Sequence, residues 1–291
     1  MNNKVKVAIL GSGNIGTDLL VKVMRSDYLQ CGAFIGRSSA SLGIKKAISM
    51  NAPVSIESIE YIKKNPDCGE IVFDATSASA HEEHAPVLKN LGKFVIDLTP
   101  AGIGTMCVPA INMEECLSND NVNLVTCGGQ ASIPVIYAIG KTQKDVDYME
   151  VVSSIASRSA GPATRLNLDE YIHTTERGIK RFSNPKHCKA ILNLNPANPC
   201  INMQTTIMAK VNNPCINTLA PELDKLIKII KTYVPGYEII VGPIIDDGKI
   251  VVSLRVIGLG DYLPRYAGNL DIINCAAIAM AELYSKNIIA H

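Results

Sequence analysis

Most of the chemical promise of this chain lies around one thiol. In Val122-Asn123-Leu124-Val125-Thr126-Cys127-Gly128-Gly129-Gln130-Ala131-Ser132-Ile133-Pro134, a strand-type apolar run ends on a cysteine and two glycines follow it. A helix is expected to start at Ser132, with Pro134 in its first turn. A thiol so placed sits at the carboxyl end of a strand, where α/β proteins bind ligands. The helix dipole would favour the thiolate. Gly128 and Gly129 would leave backbone N–H groups for an oxyanion, and Gln130 completes the block. The bland alternative is a small buried hydrophobe, the commonest fate of cysteine. The Gly-Gly-Gln that follows favours a nucleophile.

The second constellation is Gly11-Ser12-Gly13-Asn14-Ile15-Gly16, a G-x-G-x-x-G pattern between a strand and a helix. Gly11 permits the tight turn, Gly13 lets backbone approach a pyrophosphate, and Gly16 lets the helix pack close to the strand. The alternative is a structural turn with no nucleotide. An acid about twenty residues further on would hold the ribose of NAD. Here the run is Phe34-Ile35-Gly36-Arg37-Ser38-Ser39, without an acid. Arg37 and Ser38 could receive the 2′-phosphate of NADP, or Arg37 could stack beside adenine or face solvent. A dinucleotide site and a nucleophilic thiol together mean oxidation of an aldehyde. Thiolate adds to the carbonyl, the tetrahedral carbon gives up hydride, and a thioester awaits an acyl acceptor.

The elements that must position these groups fall into two patterns. In the first half, strands at Val5–Leu10, 31–35, Ile71–Asp74, 94–98 and 123–126 alternate with helical stretches such as Asn14–Arg25. They are apolar on both faces, as in a parallel sheet covered by helices on both sides. After about residue 130, longer strands are expected at 149–156, 190–194, 205–211, 238–241 and 250–256, with helices at 166–181 and 221–233. A closing helix is expected at 269–286. The fold class is therefore α/β: a Rossmann-type, mostly parallel sheet domain plus an α+β domain with a largely antiparallel sheet. The expected layout is a dinucleotide-binding domain of residues 1–127 and 266–291, and a catalytic and dimerisation domain of residues 128–265.

Composition narrows the function classes. The chain has 291 residues, 47% of them hydrophobic, so a sizeable core is available. The 28 basic and 27 acidic residues give a net charge of +1, which provides no electrostatic case for nucleic acid or a membrane surface. No run of apolar residues is long enough to span a bilayer, and the N-terminal run is too short for a signal-peptide core. The nine cysteines are irregularly spaced, as expected of reduced thiols in the cytoplasm. His81-Glu82-Glu83-His84 lacks the H-e-x-x-h spacing of a zinc site and resembles an acid-rich helix start, so no metal is expected. Asp246-Asp247-Gly248 reads as a hairpin turn.

Six blocks carry a family resemblance: GSGNIGT at 11–17, FDATSASAH at 73–81, DLTP at 97–100, VNLVTCGGQ at 122–130, SAGPATR at 159–165 and YAGNLD at 266–271. In type and order they resemble the acylating acetaldehyde dehydrogenases, CoA-dependent enzymes paired with 4-hydroxy-2-oxovalerate aldolases. More distantly the chain is similar to aspartate-semialdehyde dehydrogenases. The resemblance implies that Cys127 is the acylated nucleophile and that Ser12–Ile15 form the dinucleotide turn. It implies a second cofactor-contacting loop of Ser159, Ala160, Gly161, Pro162, Ala163, Thr164, Arg165, Leu166 and Asn167. It also implies that Asn269 lies near the nicotinamide carboxamide. The implied reaction joins a small aldehyde and coenzyme A with NAD or NADP. The implied assembly is a homodimer with an aldolase partner. Three departures accompany it: Arg37-Ser38 at the end of the second strand, Thr205 where the family carries an acid, and a shorter stretch between Val241 and Leu254. The competing classes are a phosphorylating semialdehyde dehydrogenase and a catalytically silent dinucleotide sensor.

Overall fold

The computed structural model describes residues 4–290, with Pro162, Ala163 and Ala290 described by their backbone alone. The outermost residues of the layout expected from sequence, 1–3 and 291, lie outside the described residues. The chain separates into two compact units. One holds the chain up to Leu124, Gly260–Leu263 and the chain from Asn274 onward; the other holds Val125–Leu259 and Pro264–Ile273.

The first unit follows the alternation in the sequence. In order it contains β1 (Val5–Leu10), α1 (Asn14–Arg25), β2 (Leu29–Ile35), α2 (Leu42–Ser49), β3 (Val54–Ser55), α3 (Ile59–Lys64), β4 (Ile71–Asp74) and α4 (Ala78–Asn90). Then come β5 (Phe94–Asp97), β6 (Thr105–Met106), α5 (Pro109–Asn112) and β7 (Asn121–Asn123). The strands form one sheet in the order β3-β2-β1-β4-β5-β7-β6, and all its pairs are parallel. Every residue of β4 and β5 is buried, as doubly covered strands require. β1 lies between β2 and β4, so the chain order reverses beside it. At such a switch point the loops leaving neighbouring strands diverge and open a crevice.

The second unit begins with α6 (Cys127–Thr142), β8 (Val146–Ala156), α7 (Pro162–Leu166), α8 (Leu168–Ser183), β9 (His187–Asn195) and β10 (Met203–Val211). It continues with α9 (Ile216–Tyr233), β11 (Tyr237–Asp246) and β12 (Lys249–Val256); α10 (Gly268–Ala290) closes the chain. Its sheet runs β11-β12-β10-β8-β9, antiparallel except for β8 with β9. The alternating burial of β10 and β12 marks a sheet with one covered face. α6 packs on β8, β10 and β12, with α8 and α9 beside it. Asp247 at φ 45° and Gly248 at φ 70° make the tight turn of the β11–β12 hairpin.

Two local expectations change. The strand expected at 123–126 ends at Asn123, and the helix expected at Ser132 starts at Cys127. Thr126 is the reason: its hydroxyl accepts the Gly129 N–H at 2.9 Å and caps the helix. Pro134 consequently lies inside α6 rather than in its first turn. Just before the cap, Val125 takes φ 61°. That is a left-handed conformation costly to a β-branched residue, and it stands directly before the cap of α6.

Candidate active site

Cys127 is the first residue of α6 and keeps part of its surface accessible. Its Sγ lies 3.8 Å from the Tyr171 hydroxyl. Tyr171 comes from the start of α8 and is buried. The cap of α6 is tied to α8. The Thr126 and Thr175 hydroxyls lie 2.8 Å apart, and Thr175 Oγ1 donates to the Tyr171 carbonyl at 2.7 Å. Gly128 lets the helix approach this closely: a Cβ there would stand 2.1 Å from Tyr171 Oη and 3.1 Å from Ser153 Oγ. The Ser153 and Thr205 hydroxyls bond one another at 3.0 Å, and both residues are buried. Gln130 is buried within the same helix.

Burial pushes the Cys127 thiol up to about 11, against the lowering effects of the Tyr171 hydroxyl and the backbone N–H groups of Gly128 and Cys127. The acidified thiol expected from the helix dipole is thus not the state of the protein alone. Loss of water around the sulfur outweighs the donors that favour its charge. The oxyanion expectation also narrows, because the Gly129 N–H is engaged by Thr126. Tyr171 is the functional candidate that sequence reading missed. A tyrosine in a helix start carries no local signal, and its position beside the thiol depends on the packing of two helices.

In the first unit the glycine turn is held by close backbone contacts at two of its glycines and is open at the third. Gly11 has φ 113°, and a Cβ on it would stand 2.4 Å from the Ala75 carbonyl oxygen. A Cβ on Gly16 would strike the Gly11 carbonyl at 1.8 Å, whereas Gly13 faces open space. Ser12 and Asn14–Ile15 complete the turn into α1, whose N-cap is Gly13. The Thr17 hydroxyl holds the Gly13 carbonyl at 2.8 Å. Arg37 and Ser38 are exposed just beyond β2, and Ser38 Oγ accepts the Ala40 N–H at 3.2 Å.

Beside this turn, Asp74 at the end of β4 gathers His81 Nδ1 at 3.0 Å and His84 Nδ1 at 2.8 Å. The other oxygen of Asp74 accepts the Thr76 N–H at 3.1 Å and also the Thr76 hydroxyl. The two histidines of the His-Glu-Glu-His run thus turn toward a carboxylate. Asp97, at the end of β5, accepts the Thr99 N–H at 2.7 Å and Asn123 Nδ2 at 2.8 Å. Burial would raise Asp74, but the His81 and His84 hydrogen bonds hold its carboxyl well below the usual range. Burial pushes Asp97 up to about 6, against the His81 charge and with Asp74 adding repulsion.

The remaining sequence candidates lie in the second unit. Ser159 and Ala160 are buried, and Ser159 Oγ donates to the Ala156 carbonyl at 2.8 Å. Arg165 ties the loop together through the Ala160 carbonyl at 3.1 Å and Ser157 Oγ at 2.8 Å, and its N–H reaches the Gly161 carbonyl. Pro162, Ala163 and Thr164 lie in α7, where the side chains of the first two are outside the description. Leu166 is exposed, and Asn167 stands at the N-cap of α8. Asn269 is 1% exposed, and its Oδ1 has no hydrogen-bond partner among the described residues. A buried amide oxygen left open in this way suits an N–H donor from a bound group.

The prokaryotic acetaldehyde dehydrogenase dimerisation family matches residues 127–264. An acetaldehyde dehydrogenase of Spirochaeta aurantia is 60% identical over 97% of this chain and 95% of its own length. One from Pectobacterium atrosepticum is 53% identical over 98% and 97%. One from Geobacillus stearothermophilus is 49% identical over 99% and 98%. The fold is similar to aspartate semialdehyde dehydrogenase with NADP from Candida albicans, at a TM-score of 0.67 and 12% identity over 98% of this chain and 100% of that one. That likeness concerns the fold alone. Identity of this extent along nearly the whole chain places the protein in the acetaldehyde dehydrogenase family.

Proposed function

We propose that this enzyme oxidises a short aldehyde, acetaldehyde or propanal, with a nicotinamide dinucleotide and transfers the acyl group to coenzyme A. The observation that carries the reading is Cys127 at the first turn of α6, on a chain 60% identical to an acetaldehyde dehydrogenase. The Cys127 sulfur adds to the carbonyl carbon; a C–S bond forms and the carbonyl electrons move to oxygen. The chemistry a nicotinamide supplies when bound is acceptance of the hydride from that carbon. Re-formation of the carbonyl leaves a thioester on Cys127. The CoA sulfur then attacks it, the Cys127 C–S bond breaks, and acyl-CoA leaves. Gly128 and Gln130 belong to the same proposed catalytic turn.

Gly11, Ser12, Gly13, Asn14, Ile15 and Gly16 would seat the pyrophosphate, since the glycines leave room for backbone approach. The loop from Ser159 to Asn167 and the open Oδ1 of Asn269 are proposed as further cofactor contacts, the latter suited to the carboxamide NH₂. Arg37 and Ser38 favour acceptance of NADP⁺. The dimerisation region favours a homodimer, which analytical ultracentrifugation would report as twice the chain mass. No described helix is long and apolar enough to cross a membrane. The irregular spacing of the nine cysteines in the sequence supports the reading of a cytoplasmic protein. An aldolase partner is the finer proposal, tested by co-purification.

The test of the reaction is NAD(P)H production from acetaldehyde with CoA, with phosphate and with neither. Turnover should require CoA. A rate with phosphate equal to that with CoA would indicate a phosphorylating enzyme, and equal turnover with neither would make water the acceptor.

A further inference from the structure

We infer that the Tyr171 hydroxyl is a catalytic hydrogen-bond donor to the sulfur of Cys127, stabilising it as the attacking thiolate and again as the leaving thiolate. The placement is built rather than incidental. Tyr171 Oη and Cys127 Sγ are 3.8 Å apart although the residues are 44 positions apart in the chain. The phenol occupies the space that a side chain at position 128 would take, so the glycine and the tyrosine are fitted to one another. The backbone of Tyr171 is fixed on both sides: its N–H donates to the Asn167 carbonyl, and its own carbonyl accepts Thr175 Oγ1. Thr175 in turn meets Thr126, the cap of the helix that carries the thiol. A ring of contacts, Cys127–Thr126–Thr175–Tyr171, thus holds donor and sulfur in register.

The chemistry of the surroundings points the same way. Among the described residues, the groups that lower the thiol are the Tyr171 hydroxyl and two backbone N–H groups, none of them charged. The nearby Ser153 and Thr205 hydroxyls are paired with each other. Burial and the charge of an adjacent thiolate push the Tyr171 phenol well above its usual range, so it keeps its proton and can act as a donor. No proton need pass between the two. Cys127 ionises to solvent, the O–H···S⁻ bond forms, and it weakens as the sulfur's electron pair enters the C–S bond. It is restored when CoA attack returns that pair to the sulfur. This second role rests on the proposed acyl transfer; the first does not.

The test is the alkylation rate of Cys127 by iodoacetamide, followed by peptide mass spectrometry between pH 7 and 9.5 in the protein without aldehyde, cofactor or CoA. Below the thiol pKa this rate reports the thiolate fraction. Tyr171→Phe retains the ring and should slow Cys127 alkylation about tenfold or more at each pH. The rate at the exposed Cys215 should stay unchanged. A fluorotyrosine at position 171, nearly the same size but a stronger donor, should accelerate Cys127 alkylation. These opposite signs separate hydrogen bonding from packing, and the fluorotyrosine protein serves as the test even if the phenylalanine variant does not fold. Unchanged Cys127 rates with fluorotyrosine, or acceleration by phenylalanine, would overturn the assignment. Because no substrate is present, the outcome is independent of whether the acyl acceptor is CoA.

Discussion

At the scale of single residues, the proposed reaction depends on one sulfur and on the side chains that set its charge. Cys127→Ala removes the atom that carries the acyl group. NAD(P)H formation should fall by at least about a thousandfold, and the acyl adduct should vanish from intact-mass spectra. A variant with normal turnover would show that another group is the nucleophile. Arg37 is exposed just beyond β2, where an acid would otherwise repel a 2′-phosphate. Its guanidinium can bind phosphate oxygens in a fork. Arg37→Ala should therefore weaken NADP⁺ binding about tenfold and leave NAD⁺ nearly unchanged, by fluorescence titration of each. Equal losses for both would mean that the side chain stacks on adenine or supports the turn.

At the scale of elements, the carboxyl ends of β4 and β5 carry a buried electrostatic cluster. Asp74, Asp97, His81 and Asn123 are all 0% exposed. Its two acids respond to pH in opposite senses. Asp74 lies below its unfolded value, so its stabilisation is present above that value and is lost on acidification. Asp97 is raised to about 6, so the folded state holds this proton more tightly than the unfolded chain. Its ionisation therefore costs stability as pH rises from about 4 to about 6, and the cost is constant above that. Asp97→Asn should remove this penalty. Relative to the parent protein, the variant's melting temperature should climb between pH 4 and 6 by the equivalent of about 2–3 kcal/mol, whatever constant offset the amide adds. A difference that stays flat across that range would mean that Asp97 titrates as an ordinary aspartate.

At the scale of the whole molecule, the last segment of the chain belongs structurally with its start. Asn274 Nδ2 donates to Asp18 Oδ2 at 2.8 Å and to the Ile15 carbonyl at 3.2 Å, holding the first turns of the glycine-turn helix. Further along, Ser26 Oγ donates to Glu282 at 2.6 Å, and the Phe94 and Tyr284 rings stack at 3.8 Å. We propose that this return completes the dinucleotide-binding domain. Truncation after Tyr266 should abolish cofactor binding measured by calorimetry, together with cooperative melting. A folded truncated protein with unaltered cofactor affinity would show that the return is dispensable.

Local signals were enough to read much of this molecule. Doubly apolar strands require a covered parallel sheet, and alternation in the later strands requires a sheet covered on one face, so the fold class could be read from side-chain period. The glycine turn was legible for a different local reason: Gly16 must leave room for the Gly11 carbonyl five residues earlier, and Gly11 itself takes φ 113°. The start of α6 was misplaced because a glycine pair looks like a loop until Thr126 is seen to cap it. Other features arise only when distant segments meet. Tyr171 stands against Cys127 because α6 and α8 pack through a glycine, and no periodicity announces that. His81 and His84 read as helix-start residues; the carboxylate they share, Asp74, stands only seven and ten residues earlier, at the end of the strand that leads into their helix. The sequence alone therefore determined the sheets and the chemical types at hand. Tertiary packing decided the charge state of the thiol, because that depends on how much water is excluded and which donors remain beside the sulfur.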